Sequence, residues 1–215
     1  MRSRQGIGHR AQRTGAYAES KFTNWTRFNP GNSETDRVLS RFRRDLDEAE
    51  GVLIRSLPTR STAFVMPVTE AEVAETLAAV PEHFLSGLRA VFLLGGSRRQ
   101  ELSSGRLFVF GRYGSGCVFL HAFPLARMRE KWRSLPKPSV RREYERAGAT
   151  WEQKADGWVR VFTAESLRAF YLRDVLIHEI GHHIDRFSQK DRRASESFAT
   201  WVASEFGYAK SKAAT

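Results

Sequence analysis

Apolar positions recur along the first half of the chain at helical and strand spacing, and capping residues mark where helices begin. The segment SETDRVLSRFRRDLDEAEGVLI at 33–54 places its apolar side chains between Val38 and Ala49 on one face, so it predicts an amphipathic helix. A short strand is expected over 61–66. Thr69, followed three residues later by Glu72, forms a capping-box pattern that predicts the start of a second helix. Pro81 is typical of the first turn of a third, shorter helix.

Three apolar runs follow, and Gly- and Ser-rich segments separate them. The runs cover 90–94, 106–110 and 117–123, and the GRYGSG segment at 111–116 reads as a turn. This alternation predicts a meander of strands. Prolines then punctuate a region for which we expect short helices up to about residue 147, and residues 156–162 predict one more strand.

The last third of the chain is predicted to be helical. Thr163 is a candidate cap for a helix that runs from 164 to about 187, and a second helix covers about 192–206 and stops at Gly207. Gly181 lies inside the first of these helices, where glycine costs about 1 kcal/mol relative to alanine. We therefore expect a close neighbour at Gly181, such as a crossing strand. The order of helix, strands and two final helices predicts an α+β fold.

Length and charge set the domain organisation and the class of partner. The chain has 215 residues, of which 41% are hydrophobic, enough for one compact domain. We assign 1–31 to a basic N-terminal arm, either disordered or docked onto the domain through Phe22, Trp25 and Phe28, 32–209 to the domain and 210–215 to a tail. A net charge of +11 attracts polyanions. No nucleic-acid-binding motif is present, so contact with nucleic acid is compatible with the charge but not indicated.

The sequence lacks the usual marks of membrane insertion and of classical export. No apolar run approaches the roughly 20 residues that span a bilayer, and the basic start has no apolar core behind it. A cytoplasmic location is the simplest expectation, although non-classical export would leave no such mark. The single cysteine, Cys117, excludes an internal disulfide and a multi-cysteine zinc site.

The sequence HEIGH at 178–182 carries the most specific chemistry in the chain. His178 and His182 lie four residues apart on a predicted helix, so both rings leave the same face and can hold one metal ion. Glu179 lies beside them, where its carboxylate can act on a water molecule without ligating the metal. The pattern predicts two zinc ligands and a general base.

A catalytic zinc site requires a third protein ligand. The downstream candidates are His183, Asp185, Asp191, Glu196 and Glu205. His183 and Asp185 lie on the motif helix itself, and His183 points about 100° away from His182. Glu196 is favoured, because it lies early on the next helix after a short connection that allows antiparallel packing.

The HEIGH motif followed by SESFATWVA at 195–203 resembles the gluzincins, and most closely the minigluzincins and the anthrax lethal factor catalytic family. The resemblance covers about residues 165–206. It implies a small zincin-like domain, in which a twisted, mostly antiparallel or mixed sheet covers an active-site helix that is followed by a glutamate helix. It also implies that His178, His182 and Glu196 bind zinc and that Glu179 is the base of a peptidase, with endopeptidase activity expected on a peptide or protein substrate.

The same resemblance implies that an edge strand lines the cleft and pairs with extended substrate. We expect this strand within 117–123, with Cys117, Phe119 and His121 as substrate-binding residues.

Two positions depart from the family pattern. Gln189 stands where lethal-factor-like enzymes carry an oxyanion-stabilising tyrosine, and Thr200 stands where an acidic residue often orients a histidine ligand. The remaining candidates for these two roles are Tyr171, Tyr208 and His121 for the oxyanion, and Asp174 and Asp185 for the histidine.

An alternative function of another class is a non-catalytic regulatory or polyanion-binding protein with a structural zinc and a basic N-terminal arm. The presence of Glu179 argues against it, because a purely structural site has no use for a base.

Overall fold

A computed structural model describes residues 34–96, 108–185 and 192–208, which form an α+β fold. The strands are β1 (Leu53–Ser56), β2 (Phe64–Val65), β3 (Ala90–Leu94), β4 (Gly111–Gly114), β5 (Cys117–His121), β6 (Phe123–Pro124), β7 (Arg129–Trp132), β8 (Thr150–Lys154) and β9 (Gly157–Val161). The α-helices are α1 (Glu34–Arg41), α2 (Arg43–Glu48), α3 (Glu70–Ala78), α4 (Glu82–Leu85), α5 (Pro138–Arg146), α6 (Ala164–Ala169), α7 (Ile177–Ile184) and α8 (Arg192–Phe206). A 3-10 turn covers Leu125–Arg127 and a π-helical segment covers Phe170–Leu176.

The main sheet has four strands in the order β1-β3-β5-β4. The first three are parallel to one another, and β4 runs antiparallel to β5. Every residue of β3 is buried because both faces of this sheet are covered, and the strand therefore consists of apolar residues only. A second sheet, β7-β9-β8, is antiparallel, and β2 pairs with β6 over two residues.

The two faces of the main sheet contribute to separate hydrophobic clusters. Val91 and Leu93 of β3 and Val118 of β5 pack with the helical C-terminal third of the chain. Their strand neighbours Phe92 and Phe119 point to the opposite face, where they pack with residues of α1 and α2. The sheet thus separates the C-terminal helices from the first two helices.

Several predicted elements differ from the observed ones. The expected meander is wrong, because β3 and β5 are parallel neighbours and the run at 106–110 contains no strand among its described residues. The expected turn at 111–116 is wrong for its first four residues, which form β4; only Ser115 and Gly116 have the positive φ angles of a tight turn. Local periodicity does not specify which strands pair, so it could not predict this order.

Other boundaries also shift. The helix predicted over 33–54 is divided at Phe42 into α1 and α2, and it ends at Glu48. Its predicted last residues are wrong, because Leu53 and Ile54 belong to β1. The region expected to hold only short helices contains β7, which pairs with β9 through backbone hydrogen bonds that span about 30 residues of sequence. The strand predicted at 156–162 is confirmed as β9.

The predicted caps are confirmed. The Glu72 amide donates to the Thr69 hydroxyl over 3.2 Å, and the Thr69 amide donates to the Glu72 carboxylate over 2.8 Å. Thr163 caps α6, but its capping-box partner is Ser166, whose amide and hydroxyl complete the same two bonds. These contacts lie within one helical turn, which is why sequence alone predicts them.

The helical run from Ala164 to Ile184 passes from α6 through the π-helical segment into α7, and α8 packs against α7. Gly181 has the close neighbour that its position predicts. That neighbour is Ala199 of α8 rather than a strand, and a Cβ built on Gly181 would lie 2.6 Å from the Ala199 Cα. The arm at 1–31 and the tail at 210–215 lie outside the described residues. Among the described helices, none is both long enough and apolar enough to cross a bilayer.

Candidate metal centre

The HEIGH motif lies on α7, which is enclosed by the fold rather than exposed on one side. Its neighbours are α8, α4, the edge strand β4 and the preceding π-helical segment. Ile177 and Ile180 are almost fully buried, and so are His178 and Glu179, which are 3% and 4% exposed. Two ionisable groups of the motif are therefore held in the interior, where they require specific partners.

The sequence-predicted ligands converge in space. One side-chain ligand atom each from His178, His182 and Glu196 lies within 4.8 Å of the other two. Oε2 of Glu196 lies 3.4 Å from Nε2 of His178 and 3.7 Å from Nε2 of His182. Bonds of about 2.0–2.1 Å to a tetrahedral zinc ion place neighbouring ligand atoms about 3.3–3.4 Å apart. The donor set therefore fits zinc in residue type, and the two distances from Glu196 are close to this spacing.

Glu196 Oε2 is a buried atom without a hydrogen bond. A buried carboxylate oxygen normally accepts hydrogen bonds or binds a cation, because its desolvation is otherwise costly. The atoms nearest to it in this cluster are two imidazole nitrogens at distances too long for good hydrogen bonds. A cation held by these three atoms would satisfy the oxygen and both rings at once.

The cluster also perturbs the protonation of its members. Burial lowers the pKa of His178, against the opposing effect of the Glu196 carboxylate. Burial also acts to lower the pKa of His182, but Glu196 and Glu179 outweigh it and hold that pKa above its usual value. Burial opposes ionisation of Glu196 too, yet the two rings lower its pKa to about 2. An anionic carboxylate facing two imidazoles is the charge arrangement of a metal ligand set.

Glu179 lies beside this cluster without belonging to it. Its carboxylate packs against the edge strand, where a Cβ on Gly111 would lie 3.0 Å from its Cγ and 3.1 Å from its Oε1. Burial raises the pKa of Glu179 to about 7, against the lowering effects of the nearby His182 ring and of the Tyr113 backbone N–H. A carboxyl group with such a pKa can both accept and return a proton near neutral pH.

The second ring nitrogen of His182 contacts Ser195, with 3.3 Å between Nδ1 and the serine Oγ. This contact orients Nε2 toward Glu196, as outer-shell partners of metal-binding histidines do. Sequence reasoning missed Ser195, although its place directly before Glu196 in the first turn of α8 is a usable signal. The expected partner Asp174 instead accepts hydrogen bonds from Arg146 and from the Tyr208 hydroxyl. Asp185 acts on His182 only as a nearby charge that raises its pKa.

His183 is not a member of the cluster, as its direction on the helix predicts. Its ring is buried, with Nδ1 at 3.1 Å from the Tyr113 hydroxyl and Nε2 at 3.1 Å from the Ser86 carbonyl oxygen. It therefore connects α7 to β4 and to the residue that ends α4.

The sheet order corrects the prediction that the strand within 117–123 is an edge strand. β5 lies between β3 and β4, so among the described strands the edge next to α7 is β4. Cys117 and Phe119 are buried in the cluster on the α1 and α2 side of the sheet, and His121 lies at the next alternate position of the same strand. None of the three belongs to the group around Glu196.

The candidates for oxyanion stabilisation are also engaged elsewhere. The Tyr171 hydroxyl is buried and donates to the His121 carbonyl oxygen over 2.7 Å, while the Tyr208 hydroxyl donates to Asp174. Burial, reinforced by the charge of Arg112, lowers the pKa of His121 to about 4. Gln189 and the alternative ligand Asp191 lie outside the described residues.

Comparison of the chain with family models, with curated proteins and with solved structures found no match in any of the three. The functional argument therefore depends on the geometry of the site.

Proposed function

We propose that this protein is a zinc-dependent metallopeptidase of gluzincin type with a zincin-like domain, and that it acts as an endopeptidase. The observation that supports this most directly is the convergence of His178, His182 and Glu196, whose ligand atoms lie within 4.8 Å of one another, with Glu196 Oε2 3.4 and 3.7 Å from the two Nε2 atoms. The buried Glu196 oxygen without a hydrogen bond adds a reason for a cation at this point. Glu179, adjacent to the cluster but outside it, adds a reason for catalysis rather than structure.

In this proposal each residue has a defined role. His178 and His182 donate Nε2 and Glu196 donates Oε2 to zinc, and Ser195 holds the His182 ring in the required orientation. Bound zinc supplies Lewis-acid activation of water for attack on a peptide carbonyl. Glu179 accepts the proton from the attacking water and transfers it to the leaving amine.

We assign the substrate-pairing role to β4 instead of β5. The register of β4 with β5 directs the backbone groups of Gly111 and Tyr113 away from β5, because the Phe110 carbonyl accepts from His121 and alternate residues face the other edge. On that outer side no described strand pairs with β4. An extended peptide added there would pass beside Glu179.

The decisive test of the base is Glu179→Gln, which preserves the size of the side chain and removes its capacity to accept a proton. We expect the variant to bind one zinc ion per chain and to lose cleavage of a broad peptide library by about 100-fold or more. Glu205→Gln, near the C-terminal end of α8, is the matched control and should keep full activity. Equal activity of wild type and Glu179→Gln would exclude the assigned mechanism.

The ligand set is tested separately by metal binding. Glu196→Ala should weaken zinc affinity by several orders of magnitude, because a three-ligand site is reduced to two histidines. Glu205→Ala controls for the loss of a carboxylate from the same helix. Full retention of zinc by Glu196→Ala, measured by competition with a chromophoric chelator, would reject Glu196 as the third ligand.

The regulatory alternative rests on the distribution of charge. The described residues contain 22 Lys and Arg and 21 Asp and Glu, so most of the net charge of +11 belongs to the remaining segments. A wild-type protein that holds zinc, cleaves no peptide and binds DNA with strong salt dependence would favour this alternative. Removal of residues 1–31 should then abolish that binding.

A further inference from the structure

We infer that His183 and Tyr113 are positioning residues, which together hold the edge strand β4 against the catalytic base Glu179. The inference rests on the proposed function for the role of Glu179, but its structural part can be tested without any catalytic activity.

The link between α7 and β4 begins at the His183 ring, whose two nitrogens both make hydrogen bonds. A carbonyl oxygen only accepts hydrogen bonds, so the Nε2 atom that faces Ser86 carries hydrogen. In a neutral ring Nδ1 is then an acceptor, and the Tyr113 hydroxyl donates to it over 3.1 Å. The two rings also meet edge-on, with centroids 5.3 Å apart and an interplanar angle of 67°. His183 thereby fixes the position of the Tyr113 side chain relative to α7.

The link continues along β4 from Tyr113 to Gly111, which lies against the base. A Cβ built on Gly111 would lie 2.6 Å from the Val175 Cγ1 and 3.0 Å from the Glu179 Cγ. The N–H of Tyr113 faces the same outer edge of β4, and it acts to lower the pKa of the Glu179 carboxyl group. β4 therefore meets α7 at two points, through the Tyr113 side chain at His183 and through Gly111 at Glu179.

This double attachment has a mechanical consequence. β4 pairs with a described strand on one side only, so the contacts with α7 decide how far its outer edge stands from the motif. Glu179 and His183 are four residues apart on α7 and lie on one face of the helix. Glu179 lies against Gly111 and His183 contacts the hydroxyl of Tyr113, so a shift of β4 along the helix would break both contacts. His183, the residue after the second histidine of the motif, thus sets the distance between Glu179 and β4.

Tyr113→Phe and His183→Phe each remove the hydroxyl–imidazole bond and keep an aromatic ring in place. His183→Gln is the conservative variant, because its amide can donate to Ser86 and accept from Tyr113. His83→Phe, on the exposed surface of α4, is the matched control.

The first readout is hydrogen exchange of the Tyr113 amide, followed by NMR in the zinc-loaded full-length protein. We expect about tenfold faster exchange in Tyr113→Phe and His183→Phe, a smaller change in His183→Gln and none in His83→Phe. Zinc stoichiometry should stay at one in all four variants, because no ligand is altered. Unchanged exchange in Tyr113→Phe and His183→Phe would overturn the inference, whether or not the protein cleaves peptides.

The second readout is catalysis, measured on any peptide that the wild type cleaves. We expect kcat to fall about 10- to 100-fold, with KM changed far less, because the base is displaced while the metal is retained. The double variant Tyr113→Phe/His183→Phe should lose no more than either single variant, since both remove the same bond. Additive losses, or loss of thermal stability with kcat intact, would identify His183 as a purely structural histidine. A wild type that cleaves nothing would reject the proposed function, and the exchange measurement would still decide the positioning role.

Discussion

Replacement of Gly181 by alanine should disturb both the stability of the protein and its affinity for zinc. Gly181 lies one residue before His182, a proposed zinc ligand, at the point where α7 crosses α8. A Cβ at this position would lie 2.6 Å from the Cα of Ala199, 3.0 Å from its Cβ and 3.3 Å from its carbonyl oxygen. The nearest of these atoms belongs to the backbone, so no side-chain rotation can relieve the contact.

Two opposing effects determine the change in the free energy of unfolding. Alanine favours the helix over glycine by about 1 kcal/mol. Forcing a methyl group into a filled contact costs about 1–3 kcal/mol, because the helices must separate by about 1 Å to restore ordinary van der Waals distance. We therefore expect a net loss of up to about 2 kcal/mol in the metal-free protein.

We expect Gly181→Ala to affect zinc affinity more than it affects the free energy of unfolding. Glu196 lies three residues before Ala199 on the same helix and moves with it, while both histidines move with α7. Its Oε2 is already 3.4 and 3.7 Å from the two Nε2 atoms, at or beyond the spacing that zinc requires. A separation of about 1 Å at the crossing should weaken zinc affinity at least about tenfold, since ligand distances tolerate only about 0.2 Å.

Urea unfolding of the metal-free protein measures the first effect, and competition with a chromophoric chelator measures the second. Gly51→Ala is the control, because a Cβ at Gly51 meets nothing within 4 Å and its φ angle is not positive. Gly181→Ala/Ala199→Gly should not recover the wild-type values, because the 2.6 Å contact is with Cα. A Gly181→Ala variant that is as stable as wild type and binds zinc equally well would refute the close crossing as the determinant of the site.

Three further outcomes follow from individual contacts. Ser195→Ala should weaken zinc affinity about tenfold or more without changing stoichiometry, because the His182 ring loses its outer partner; unchanged affinity in the chelator competition would contradict this role. Thr69→Ala should lower the free energy of unfolding by about 1 kcal/mol through loss of the cap and leave zinc binding intact, whereas a change in metal affinity would show an unforeseen connection to the site. The pKa of His121 is about 4 in the folded protein and about 6.5 in the unfolded chain. The unfolded chain therefore binds the additional proton, and the free energy of unfolding falls by at most about 3 kcal/mol as the pH drops from about 6.5 to 4. His121→Gln should flatten urea-unfolding stability over that pH range relative to wild type, and an identical pH dependence in both proteins would contradict a neutral His121 ring in the folded protein.

Residues that act within a few positions of one another were predictable from sequence. The Thr69 box, the Thr163 cap and the one-turn spacing of His178 and His182 all depend on helix geometry, which is local. Glu196 was also predictable, because a short connection between two helices constrains them to pack antiparallel. A zinc ligand set could thus be proposed before any contact was known.

The strand pairing and the partners of the site residues depend on long-range contacts, which the sequence does not specify. The apolar runs that became β3 and β5 have no feature that states whether they pair in parallel. The segment that became β4 resembles a turn because it is rich in glycine, but Gly111 is required there by its close approach to Val175 and Glu179. Cys117 and Phe119 appeared suited to a cleft but face the other side of the sheet, since strand pairing sets which residues of β5 face α7. The roles of Ser195 and His183 likewise depend on partners that only packing brings near.

Gly181 shows both contributions at one position. A glycine inside a predicted helix already indicated a close neighbour, because its conformational cost needs a compensating contact. Only the packed structure identified that neighbour as Ala199 of the glutamate helix. The histidine spacing is therefore a property of one helix, whereas the approach of Glu196 is a property of the crossing between two, and that crossing depends on the whole core.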